Sequence, residues 1–103
     1  MLSLIEEHRE QLVAICEEFG IERLELFGSA STGEFDPDRS DLDFLVTYPA
    51  GYAMGPWLKR HFDLKERLAD LFRRKVDLIQ AGAPRNPHVV ASIRQTKQLL
   101  YAA

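Results

Sequence analysis

Apolar positions recur at helical spacing from the start of the chain. Ile5, Leu12, Ile15, Cys16 and Phe19 fall on one face, with His8 at its edge. Ser3 with Glu6 three residues on is a capping-box signature, and Gly20 is the expected terminator, so one helix is predicted from Ser3 to the glycine. The period then changes to two. Over residues 21–27, Leu24 and Leu26 lie on one side and Arg23, Glu25 and Phe27 on the other, which predicts a first strand. A second strand is predicted over 41–48, with Leu42, Phe44, Val46 and Tyr48 facing a core and Asp41 and Asp43 facing away from it. Residues 48–55 are a loop by their Gly and Pro content. Pro56 opens a helix with Trp57, His61, Leu64, Leu68 and Leu71 on one stripe and Phe72 beside it. Residues 76–79, VDLI, read as a third strand and 80–85 as a loop. Asn86 and Pro87 begin a last helix whose apolar side is Val89, Val90, Ile93, Leu99, Leu100 and Tyr101. Helix, strand, loop, strand, helix, strand, helix is an α/β layout without internal repeats, read as one domain over 1–103.

Composition changes that picture little. A chain of 103 residues, 46% hydrophobic and 28% charged, is long enough to bury a core of its own. The opening MLSLIEEHREQL fits neither a signal nor a transit peptide, and no run reaches membrane-spanning length, so a cytoplasmic protein with no membrane partner is expected. The single cysteine, Cys16, has no internal disulfide partner and lies within the apolar stripe, where a packed thiol is favoured over a nucleophile. His8 and His61 are read in the same way, as structural histidines. The net charge of −3 argues against broad nucleic-acid binding.

Charge becomes informative locally. Between Glu34 and Asp43 there are five acids, Glu34, Asp36, Asp38, Asp41 and Asp43, against Arg39 alone, so the rest of the chain is close to neutral. Asp36-Pro37-Asp38 reads as a solvated turn. Asp41 and Asp43 are different, because two carboxylates on one side of a strand repel each other unless one is protonated or a cation lies between them. A hard divalent ion such as Mg²⁺ suits such ligands. Asp77 places a third acid inside an otherwise apolar strand, where acids are uncommon. Gly28-Ser29 directly follows the first strand, where backbone N–H groups approach a phosphate closely, and Gly33 permits a tight turn nearby. Ser40 either orients Asp41 or ends the turn, and it joins Gly28, Ser29 and Gly33 as a nucleotide-binding candidate. Three carboxylates from two strands opposite a Gly-Ser turn meet the needs of metal-assisted phosphoryl or nucleotidyl transfer. There two ions about 4 Å apart activate a hydroxyl and steady the leaving pyrophosphate. Asp41 and Asp43 are assigned to both ions, and Asp77 to the ion on the acceptor side. Neither a Walker-type G-x-x-x-x-G-K nor a G-x-G-x-x-G is present.

Leu26-Phe27-Gly28-Ser29, Gly33, Ser40-Asp41-Leu42-Asp43-Phe44-Leu45-Val46, Val76-Asp77-Leu78-Ile79 and the ending from Asn86-Pro87 to Leu100-Tyr101 resemble a minimal nucleotidyltransferase domain of the DNA polymerase β superfamily. The resemblance covers nearly the whole chain. It implies a small mixed sheet flanked by helices, like the polymerase β palm, with Mg²⁺, ATP as the usual nucleotide, and transfer of a nucleoside monophosphate to a hydroxyl. Many stand-alone members of this kind are antitoxins that pair with a helical HEPN ribonuclease toxin and adenylylate a tyrosine on it. This chain departs from the commonest pattern in two places. Ala30, Ser31 and Thr32 stand where arginines often follow Gly-Ser, and the gap from Ser29 to Asp41 is one residue longer. The candidate cations are then Arg39 and the basic helix and its end, which carry Lys59, Arg60, Lys65, Arg67, Arg73, Arg74 and Lys75.

Two other functions compete with a protein adenylyltransferase. One is a binding module that neutralises a toxin by complex formation, using the Trp57 region and the last helix. The other is a small-molecule adenylyltransferase, ranked last because no substrate-binding domain accompanies these residues. A homo-oligomer stays open.

Overall fold

The computed structural model describes residues 3–28, 41–83 and 86–103. The elements in order are α1 (Ser3–Glu7), α2 (Arg9–Phe19), β1 (Arg23–Phe27), β2 (Leu42–Thr47), a 3₁₀ turn (Pro56–Leu58), α3 (Lys59–Phe72), β3 (Val76–Gln80), α4 (Pro87–Thr96) and β4 (Gln98–Ala102). The four strands form one sheet in the order β3-β2-β1-β4. β1 runs antiparallel to both β2 and β4, while β2 and β3 are parallel, so the sheet is mixed. The α/β class and the small mixed sheet expected from the sequence are the observed ones.

Alternation sorts the sheet into two faces. Leu24 and Leu26 of β1, Leu42, Phe44 and Val46 of β2, Val76 and Leu78 of β3 and Leu100 of β4 enter the main core. There they meet Leu12, Ile15, Cys16 and Phe19 of α2 and Leu64, Leu68 and Phe72 of α3. Each fully buried Leu or Phe contributes roughly 1.5–3 kcal/mol relative to exposure. On the opposite face a smaller cluster of Phe27, Leu45 and Ile93, with Ile79 against it, seats α4 on the sheet.

Local chemistry explains the ends of the helices. Gly20 takes the left-handed conformation (φ 64°, ψ 32°), and its N–H bonds back to the last turn of α2. The Asn86 side-chain oxygen accepts the His88 N–H at 2.9 Å and caps α4, with Pro87 at the first helical position. His61 is buried between strand and helix. Its Nε2 lies 3.1 Å from the Leu78 carbonyl, which can only accept, so Nε2 carries the proton and Nδ1 accepts from the Tyr48 hydroxyl at 2.9 Å. Burial first, then the charge of Lys65, holds its pKa below the ordinary histidine value, against the Leu78 bond that raises it. Cys16 is buried, and burial pushes its thiol up to about 12, which makes it an inert core residue. His8 is partly buried, with Nδ1 2.9 Å from the Leu4 carbonyl and its ring edge-on to Phe72.

Three sequence expectations are corrected. The first helix is two, broken at His8 (φ −115°, ψ 16°). The last helix stops at Thr96, where Lys97 turns extended, and Gln98–Ala102 is a fourth strand on the free edge of β1. Leu100 faces the main core from that strand, with Tyr101 partly buried beside it. Trp57 is not on the stripe of α3: it sits in the 3₁₀ turn at φ 55° and is 94% exposed.

Candidate active site

β2 and β3 present their acids in register. Asp43 pairs directly with Asp77 across the parallel ladder, and in-register neighbours share a face, so both carboxylates stand on the α4 side of the sheet. On the other flank of β2, Asp43 pairs with Phe27, and Gly28 follows at the end of β1. Gly28 has φ +76°, and a Cβ there would lie 2.6 Å from Asp43 Oδ2. Only glycine allows the backbone to approach the carboxylate this closely.

The carboxyl of Asp43 is pushed up from an ordinary 3.8 to about 6. Burial is the main cause, followed by the charge of Asp77, a hydrogen bond with Asp77, and the charge of Asp41. Asp41 lies just ahead of β2 and is half-buried, with Lys75 Nζ 3.7 Å from its Oδ2. Among the described residues no three His, Cys, Asp or Glu side chains gather into one ligand set. The acids expected to act together are therefore arranged as a close pair, Asp43 and Asp77, with Asp41 at the rim held by a lysine. The donor set fits a hard divalent cation. Two carboxylates side by side, one inclined to keep a proton for want of counter-charge, are what such an ion replaces.

Gly28 differs from expectation in one respect. Its N–H donates to Thr96 Oγ1 at 2.9 Å, so it brings close approach of the backbone rather than a donor for phosphate. Ser29, Gly33 and Ser40, the other nucleotide-binding candidates, lie outside the described residues, as do Asp36, Asp38 and Arg39. Three cations of the basic helix have partners among the described residues. Lys59 pairs with Asp63 at 2.9 Å, Arg67 pairs with Glu18, and Arg60 lies over the Phe19 ring.

Two residues on the acid face escaped the sequence reading. Thr96 carries no local signal, since its contact with Gly28 spans 68 positions. Glu25 is only 7% exposed and faces Lys97 Nζ at 3.8 Å. Alternation put it on the face away from the main core, but not beneath α4. It lines a cavity of about 340 Å³ with Thr47, Ile93, Arg94 and Lys97, at the opposite end of β1 and β2 from Gly28 and Asp43; none of the three aspartates lines it.

Residues 8–100 match the family model described as a nucleotidyltransferase domain. A provisionally named protein adenylyltransferase of Methanocaldococcus jannaschii is 35% identical over 79 residues, covering 77% of this chain and 76% of that protein. Among solved structures, a provisionally named minimal nucleotidyltransferase superposes with TM-score 0.74 at 28% identity, covering 94% of this chain and 93% of that one. A chain from the complex of a tri-AMPylated Shewanella oneidensis HEPN toxin with its MNT antitoxin shares the fold, with TM-score 0.65 at 15% identity, covering 95% of this chain and 72% of that one. A chain from a toxin-antitoxin structure with AMP-PNP gives TM-score 0.69 at 18% identity, covering 92% and 73%. With its acid pair on a mixed sheet and its match over residues 8–100, the chain belongs to the nucleotidyltransferase domain family, among the minimal nucleotidyltransferases.

Proposed function

We propose that this protein is a Mg²⁺-dependent adenylyltransferase that moves AMP from ATP to a hydroxyl, a tyrosine, on a HEPN-type toxin and so acts as its antitoxin. The observation that carries this reading is the pairing of Asp43 with Asp77, with Gly28 set against the Asp43 carboxylate. Asp41 and Asp43 would hold two ions between them, and Asp77 the ion on the acceptor side. When bound, Mg²⁺ lowers the pKa of the acceptor hydroxyl and neutralises the pyrophosphate as it leaves. The sheet orients the carboxylates, with Asp43 partly buried and in register with Asp77. The acceptor oxygen forms a bond to the α-phosphorus, the bond to the β-phosphate oxygen breaks, and pyrophosphate departs with the electron pair. The hydroxyl proton passes to Asp77 or to solvent. Ser29, Gly33 and Ser40 would face the triphosphate. Such chemistry belongs in the cytoplasm, where ATP and Mg²⁺ are plentiful.

The AMP-PNP in one structural neighbour and the AMPylated toxin in another support the nucleotide and the acceptor class. The test is a mass spectrum of the neighbouring helical gene product after incubation with this protein, ATP and Mg²⁺. Addition of AMP to a tyrosine is expected. A tight complex with no added mass under any nucleotide would instead select neutralisation by binding alone. That second reading is favoured by one feature, the exposed apolar group of Trp57, Leu58 and Phe62 at the start of α3.

A further inference from the structure

Thr96 closes α4, and among the described residues its hydroxyl bonds to two backbone groups, each with a fixed sense. Its hydrogen is donated to the Ser92 carbonyl at 2.7 Å, one turn back, so the oxygen's lone pairs are left to accept the Gly28 N–H at 2.9 Å. Both sides of this junction are anchored. Ile93 packs on Phe27 and Leu45, the Lys97 N–H bonds to the Ile93 carbonyl, and the next residue, Gln98, pairs with Leu26 of β1. Gly28 is thus tied on one side to a helix end that is packed and hydrogen-bonded in place, and on the other it lies against Asp43 Oδ2, where no Cβ would fit.

We infer that Thr96 is a positioning residue of the transfer site: through the Gly28 N–H it sets where the nucleotide turn begins relative to the Asp43 carboxylate. This rests on the nucleotidyl transfer proposed above, and it explains why Gly28 contributes no donor to phosphate. Gly28 is placed by a side chain from the far end of the chain. β-branching restricts the Thr96 rotamer, so the acceptor is presented in few orientations. Serine keeps the chemistry with more freedom, while valine keeps the shape and loses it.

The experiment compares wild type, Thr96→Val and Thr96→Ser by amide hydrogen exchange at Gly28 and by calorimetric titration with ATP in MgCl₂. Thr96→Val is expected to exchange at Gly28 about tenfold faster or more, and to bind ATP about tenfold more weakly, because an unpaired amide frees Gly28 from its place against the Asp43 carboxylate. Thr96→Ser is expected to restore both to within about threefold. A Gly28 amide as protected in Thr96→Val as in wild type would overturn the tie itself. Faster exchange with unchanged ATP affinity would overturn the positioning role and leave only a structural bond. Wild type that binds ATP but transfers nothing would sink the function reading alone, with Thr96 still judged by affinity. Wild type that binds no ATP would sink both.

Discussion

On one face of the sheet Leu42, Phe44 and Val46 of β2 press on α2 and α3, and on the other Asp43 and Leu45 of the same strand lie under or beside α4. The first face is a dry core in which a polar group such as His61 has both ring nitrogens satisfied. The second has a small apolar anchor, Phe27, Leu45 and Ile93, and on the same face Asp43, whose carboxyl burial and Asp77 push up. Alternation along one strand therefore separates stability from chemistry. Even positions of β2 hold the fold, and Asp43 on the other side carries a charge that burial and the neighbouring Asp77 make unfavourable. Changes on the two faces should affect different measurements.

The largest effect expected is on the acid face. Asp43→Asn keeps volume and removes a carboxylate from the proposed metal site, so transfer should fall by about three orders of magnitude or more while the fold is retained. Phe44→Ala, behind it, should do the reverse. Urea unfolding should show a loss of about 3–5 kcal/mol, with kcat per folded molecule nearly unchanged. Gly28→Ala sits between the two. Its Cβ would meet Asp43 Oδ2 at 2.6 Å, at a φ of +76°. Misplacing the carboxylate by about 1 Å should cost roughly a hundredfold in transfer, against a stability loss of about 1–2 kcal/mol from the left-handed backbone.

The smallest effect is that of pH. Asp43 titrates at about 6 when folded and at an ordinary 3.8 when unfolded. Between those values the folded state binds more protons than the unfolded state, so stability falls as pH rises through that window and levels off above it. Thermal melts in chelator should show this slope, and Asp43→Asn should flatten it. At the proposed site Mg²⁺ would compete with the same proton, so its apparent affinity should climb over the same range.

Much of this was legible in the sequence because its causes are local. Alternation separated Leu24 and Leu26 from Phe27, Gly20 announced the end of α2, and Asn86-Pro87 marked the start of α4. The acid pair was legible too, because an aspartate within VDLI is out of place unless it faces something other than core. What escaped depends on distant partners. Gln98–Ala102 has too short an apolar run to distinguish strand from helix, and its identity comes from the vacant edge of β1. Trp57 fits the helical stripe by spacing, yet the 3₁₀ turn and its positive φ swing it into solvent. Thr96 meets Gly28 only through the whole sheet and helix that lie between them.

The most direct measurement is the unfolding temperature of wild type and Asp43→Asn as MgCl₂ is raised at pH 7, without nucleotide or partner. If Asp43 and Asp77 are a cation site, wild type should start at or below the variant and climb with Mg²⁺, while the variant stays flat. A wild-type curve that ignores Mg²⁺, or a variant that rises with it equally, would contradict the account.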